Sequence, residues 1–211
     1  MFRNRKEAGQ RLADALVQRG WQFDVVLGIP RGGVVVAREV ADRFGCSLDV
    51  IMARKIGSPA NLEYAIGAVT PDGEVLLDDK LRQFLGLEQE SIDKSAQRIK
   101  QEINQRLAMY RAGKKSEPLA GRRVVLIDDG IATGFTVKAA VQYLRRQGAS
   151  YIAVAVPVAS EEACLSLEST VDSLFCLEVP EVFFAVGQFY QDFRSVEDEE
   201  VIRLLRQREV G

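Results

Sequence analysis

The sequence predicts an α/β fold built on a mainly parallel sheet, and three observations predict it. Short apolar runs rich in β-branched residues alternate along the chain with helical stretches, the order that builds a parallel sheet through crossover connections. The runs are apolar at consecutive positions, as strands covered by helices on both faces require. At about 150 residues per domain, 211 residues suit one domain with a sizeable core, expected over residues 1–211.

In chain order, Leu12, Ala15 and Leu16 fall at helical spacing ahead of Gly20, which marks an N-terminal amphipathic helix and its stop. Residues 23–27 form the first expected strand, ending at Gly28, with a helix over 34–44 and a second strand over 47–53. Residues 88–112 carry Ile92, Ala96, Ile99, Ile103, Leu107 and Tyr110 at steps of three or four, a long amphipathic helix with a charged outer face. It reads either as an insertion into the core or as an oligomer contact, and it ends in a loop of breaker and polar residues over 113–118. Further strands are expected at 123–127, 151–156 and 172–177, with helices at 135–147 and 161–167. The tail Ser195-Val196-Glu197-Asp198 has the capping signature S-x-x-[DE] ahead of Val201, Ile202 and Leu205. Its acidic run is therefore expected to be a solvated helix start with no catalytic part.

Composition narrows the chemistry. The chain has 28 Lys plus Arg against 30 Asp plus Glu, 47% hydrophobic residues and no histidine. A Ser-His-Asp hydrolase, a Cys-His protease and an H-E-x-x-H zinc enzyme all need imidazole, so none is available. Any reaction must run on carboxylates, Arg, Lys, hydroxyls, backbone amides or a bound ion, an inventory that suits phosphate chemistry. A formal net charge of -2 argues against nucleic acid or a membrane surface as partner. The three cysteines lack C-x-x-C spacing, so neither a disulfide framework nor a zinc site is indicated, and they read as buried thiols. The N-terminus is polar and no apolar run approaches about 18 residues, from which a cytoplasmic protein is expected.

One segment concentrates the chemistry. Residues 124–127 are an apolar strand that runs into Asp128 and Asp129, then turns through Gly130-Ile131-Ala132-Thr133-Gly134-Phe135-Thr136 into a helix. Gly130 and Gly134 permit tight turns, and amides from Ile131 to Thr136 at a helix N-terminus favour a phosphate. Thr133 and Thr136 add hydroxyl donors. Successive side chains at a strand end diverge, so Asp128 and Asp129 are expected to serve a ligand and a neighbouring loop or hydrated metal. Carboxylates beside a phosphate cradle fit a sugar phosphate, through its hydroxyls, or magnesium. There is neither a G-x-x-x-x-G-K-[ST] loop nor a G-x-G-x-x-G.

This segment resembles the phosphoribosyl pyrophosphate (PRPP) motif of the type I phosphoribosyltransferases. The resemblance implies that family's fold, a parallel sheet flanked by helices with a small hood, here with a long inserted helix. It also implies that Asp128 and Asp129 contact ribose hydroxyls or magnesium-bound water, while Ile131, Ala132, Thr133, Gly134, Phe135 and Thr136 hold the 5-phosphate. Gly28-Ile29-Pro30-Arg31-Gly32-Gly33, between a strand and a helix, resembles the family's pyrophosphate loop, with backbone open to an anion and Arg31 as a charged fork. Family members often hold a non-proline cis peptide in this loop, expected here at Arg31-Gly32. Arg54-Lys55-Ile56-Gly57-Ser58-Pro59 stands where the family has a basic residue and then a mobile loop, with Glu63 and Tyr64 just downstream. Arg54 and Lys55 would neutralise departing pyrophosphate.

The implied reaction is transfer of the 5-phosphoribosyl group from magnesium PRPP to a nitrogen of a base-like acceptor, with release of pyrophosphate. Enzymes for 6-oxopurines usually carry aspartate where this chain has Ala132, which counts against hypoxanthine or guanine without establishing adenine. Phe183, Phe184, Phe189 and Tyr190 are candidates for an aromatic hood over the acceptor. The alternative is a PRPP- or nucleotide-binding regulator without turnover, since fold and motif are common to both. Dimers are common in the family, so a homodimer is an open expectation.

Overall fold

The computed structural model describes residues 1–58, 61–77 and 88–206. Helix α1 (Arg5–Gln18) starts on Asn4, whose side chain accepts the Glu7 amide at 2.9 Å. It is followed by β1 (Val25–Gly28), α2 (Gly32–Phe44) and β2 (Ser47–Val50). After β3 (Arg54–Ser58), β4 (Asn61–Val69) and β5 (Val75–Leu77) comes the long helix α3 (Gln89–Arg111). The chain continues through β6 (Arg123–Ile127), α4 (Phe135–Arg146), β7 (Tyr151–Val158), α5 (Glu161–Glu168) and β8 (Ser173–Glu178). A short 3-10 turn, Val186–Phe189, precedes the last helix, α6 (Asp198–Arg206).

The main sheet has five strands in the order β2-β1-β6-β7-β8, every pair parallel. Successive residues of each central strand go to opposite sides. Val25, Leu27, Val124, Leu126, Ile152 and Val154 join Val137, Val141 and Leu144 of α4. Val26, Val125, Ile127 and Ala153 join Leu12 and Leu16 of α1 and Val36 and Val40 of α2. Burial on both faces is why these strands read as continuous apolar runs rather than alternating ones.

A second, antiparallel sheet, β3-β4-β5, stands apart from the first. It corrects the reading of residues 54–59 as a loop: Arg54–Ser58 pairs with β4, Arg54 opposite Val69, with register shifts at Gly57. Pro59 and the side chains of Glu63 and Tyr64 lie outside the described residues. The apolar face of α3 packs under this sheet, its Ile92, Ile99, Ile103 and Tyr110 clustering with Ile56, Val69, Val201 and Leu205. That stripe is thus covered within the molecule, as expected of an insertion.

Three expectations shift. The second strand ends at Val50, not at residue 53. The tail helix begins at Asp198, so Ser195 stands three residues ahead of it and does not cap it. The cysteines are half-buried rather than buried, with Cys164 and Cys176 Sγ atoms 3.5 Å apart. Among the described residues no helix is long and apolar enough to cross a membrane.

Candidate functional site

The connections leaving β1 run toward β2 and those leaving β6 run toward β7, in opposite directions along the sheet. The strand order therefore reverses between β1 and β6, and a crevice opens at such a point outside the carboxyl ends of the strands. Register brings the two ends level, Gly28 beside Ile127. The residues that follow, Ile29 to Gly32 on one strand and Asp128 and Asp129 on the other, line one cavity of about 710 Å³. Met52 to Lys55, Arg5, Arg106, Thr136, Phe193, Ser195 and Val196 complete its wall.

The two carboxylates have different partners. Asp129 receives the Arg5 Nε–H at 2.6 Å, and its backbone carbonyl accepts the Tyr190 hydroxyl at 2.6 Å. Asp128 accepts the Asp129 amide at 2.8 Å. Burial, and then the negative charge of Asp129, push the Asp128 carboxyl well above its usual range. Burial and the same Asp129 charge also push the Tyr190 phenol up, so it stays a neutral donor.

The glycine loop between β1 and α2 is packed against this pair. A Cβ at Gly33 would stand 2.8 Å from the Asp128 Cα, and one at Gly32 would overlap the Asp129 carboxylate. Glycine is needed here for close approach rather than for a positive φ. A non-proline cis peptide is present, but at Pro30-Arg31 instead of Arg31-Gly32. Arg31 is already in helical conformation, φ -99° and ψ -41°, as the residue leading into α2, so its bond to Gly32 belongs to the helix entry.

The opposite wall is a helix start. Gly134, at φ 72°, turns the chain into α4. Ile131 is pinned to the end of β7, its amide to the Val158 carbonyl at 2.9 Å and its carbonyl to the Ser160 amide at 3.0 Å. The Ser160 hydroxyl donates to the Ala132 carbonyl at 2.6 Å. Among the described residues, no carbonyl takes the amides of Ala132 to Thr136. Unpaired amides at a helix start, with the helix dipole behind them, are an arrangement that favours an anion.

Cations line the remaining walls. Arg54 pairs with Glu102 of α3, and Lys55 follows it. Arg31 lies 3.9 Å from Glu197 and 3.8 Å from Asp198, and Arg106 lies 3.7 Å from Asp198. Tyr110 donates to Asp198 at 2.6 Å. The acidic helix start is therefore a tie between α3, α6 and the β1–α2 loop rather than a purely solvated end.

Phe183, Phe189 and Tyr190 pack beside the cavity, in a cluster with Phe2, and Phe184 is 86% exposed. Among the described residues, the aromatic side chain that lines the cavity is Phe193. Sequence reasoning passed over Phe193, Arg5 and Arg106. Arg106 had a signal, since it lies one position from Leu107 on the polar edge of the α3 stripe. Arg5 and Phe193 had none in local pattern.

The model of the phosphoribosyl transferase domain matches residues 2–194, and the chain belongs to that family. Two Mycobacterium tuberculosis proteins, from strains CDC 1551 and H37Rv, carry provisional phosphoribosyl transferase names and are 40% identical over 97% of this chain. The match covers 46% of their length, so the chain spans about half the length of the curated relatives it matches. The crystal structure of TT1426 from Thermus thermophilus superposes with a TM-score of 0.83 at 43% identity, covering 97% of both chains.

Proposed function

We propose that the chain transfers the 5-phosphoribosyl group of PRPP to a nitrogen of a base-like acceptor and releases pyrophosphate. One observation carries the reading: the acid pair, Thr136 at the start of α4 and the glycine loop ahead of α2 line one crevice at the switch point of the sheet. In this reading the amides of Ala132 to Thr136, with the Thr133 and Thr136 hydroxyls, hold the 5-phosphate, while the Ile131 amide, taken by the Val158 carbonyl, anchors the loop instead of binding the ligand. Asp128 and Asp129 accept ribose hydroxyls, or water on a magnesium ion.

The donor set fits such an ion. Among the described residues no group of three or more His, Cys, Asp or Glu side chains is placed to cage a metal, and magnesium characteristically takes one or two carboxylates together with phosphate oxygens and water. Magnesium would neutralise the pyrophosphate charge. Arg31, Arg54, Lys55 and the backbone of Pro30 to Gly33 receive the pyrophosphate and take up charge as its bond to ribose lengthens. Arg106 adds a further cation on that wall. Holding the acceptor nitrogen opposite the departing pyrophosphate is then a matter of position, which needs no histidine.

The deciding experiment is pyrophosphate release from magnesium PRPP across purines, pyrimidines and other nitrogenous acceptors. Release with one acceptor is expected and names the substrate. Tight PRPP binding without turnover on the whole panel would replace transfer by a PRPP-binding regulator, and no PRPP binding would remove both.

A further inference from the structure

We infer that Arg5 is a positioning residue of this site, holding the Asp129 carboxylate in the orientation that receives the ribose; the inference rests on the phosphoribosyl reading. Arg5 occupies the first position of α1, after the Asn4 cap. A helix N-terminus is the positive end of the dipole, so a cation there is disfavoured. An arginine placed at this end, with only 11% of its side chain exposed, requires compensation.

Three contacts supply it and fix the guanidinium plane. The Nε–H donates to Asp129 Oδ2 at 2.6 Å, Nη1 donates to the Arg194 carbonyl at 2.8 Å, and the guanidinium carbon lies 3.8 Å from the centre of the Phe193 ring. Arginine suits this arrangement because its donors form a rigid planar fork that also stacks on aromatic faces. Arg5 and Asp129 both line the cavity. A Cβ at Gly32 would stand 2.6 Å from Arg5 Nε as well as overlapping Asp129, so acid, arginine and glycine loop meet at one junction.

The backbone of Asp129 does not depend on Arg5. Its carbonyl is held by Tyr190 and its amide by the Asp128 carboxylate. Loss of Arg5 therefore frees the carboxylate while the strand end stays in place. A ligand effect separable from a folding effect follows from this division.

The test compares wild type, R5Q and R5K by calorimetric titration with magnesium PRPP, alongside thermal unfolding. Losing a charge-assisted hydrogen bond to a positioned carboxylate should weaken PRPP binding about tenfold in R5Q. R5K should lie between the two, since one ammonium keeps the charge but cannot hold Asp129 and the Arg194 carbonyl in one plane. With an acceptor in hand, the loss should appear more in KM for PRPP than in kcat. A folded R5Q with wild-type affinity would overturn the inference, as would R5K at wild-type affinity should R5Q fail to fold. Equal losses of affinity and unfolding temperature in both variants would show a purely structural arginine. Failure of the wild type to bind PRPP would instead remove the phosphoribosyl reading beneath it.

Discussion

Asp128 and Asp129 are chemically identical neighbours whose surroundings divide them, one paired with Arg5 and the other pushed toward its neutral form by burial and by its neighbour's charge. For Asp128 the folded value lies above the unfolded one, so the native state holds this proton more tightly. Its contribution to stability is greatest below the unfolded value and is lost as pH rises through the folded value. D128N removes that cost near neutrality. We expect it to unfold about 2 °C or more above wild type at neutral pH, with the gap closing in mild acid. It should also bind PRPP at least about tenfold more weakly, since function and stability pull apart at such a group. Thermal unfolding at both pH values checks the sign, and a lower unfolding temperature at neutral pH would refute it. The acid pair was legible because strand, carboxylates and glycine turn are contiguous in sequence. Arg5 lies 124 residues away from its partner, and nothing local distinguishes it from a solvated arginine.

At the scale of elements, the site depends on how closely the β1–α2 turn approaches the end of β6. Gly33 controls this approach, for a Cβ there would stand 2.8 Å from the Asp128 Cα and 2.9 Å from the Ile127 carbonyl oxygen. Both are backbone atoms, which cannot rotate aside. In an unobstructed helix, alanine in place of glycine stabilises by about 1 kcal/mol, whereas forced contact in a packed region costs about 1–3 kcal/mol. We therefore expect G33A to lose about 1 kcal/mol or more in urea unfolding, together with PRPP affinity; a stabilised G33A with intact binding would show that the turn is slack. The same scale separates what the pattern of residues reveals from what it hides. The strands of the main sheet and the helices that cover it were legible, because double burial leaves continuous apolar runs and helical stripes. The antiparallel sheet was not. Leu62, Tyr64, Ile66 and Ala68 do alternate with more polar or smaller residues, a strand period, but the basic residues that open β3 also resemble a family loop, and local pattern does not separate the two.

For the whole molecule, net charge and site charge have opposite signs. The chain carries -2 overall, yet Arg5, Arg31, Arg54, Lys55 and Arg106 surround a cavity whose lining carboxylates are Asp128 and Asp129. Part of that positive charge is held by neighbouring acids, Arg5 by Asp129, Arg54 by Glu102, and Arg31 and Arg106 by the start of α6. The Arg54, Arg31 and Arg106 pairs are partly exposed and individually weak, so a polyanion can take their cations at little cost. Screening separates this field from the rest of the binding energy. The Debye length falls from about 10 Å at 0.1 M salt to about 3 Å at 1 M, so long-range attraction to the cavity is lost while contacts within it persist. Magnesium PRPP affinity should therefore fall about tenfold or more across that range, mainly through slower association. R106Q, which removes a cation on the rim without touching the acid pair, should bind more weakly at low salt and show a shallower dependence. Calorimetry and stopped-flow association in a salt series measure both. An affinity indifferent to salt in wild type would mean that the cations are neutralised within the fold and that the amides before α4 hold the substrate almost alone.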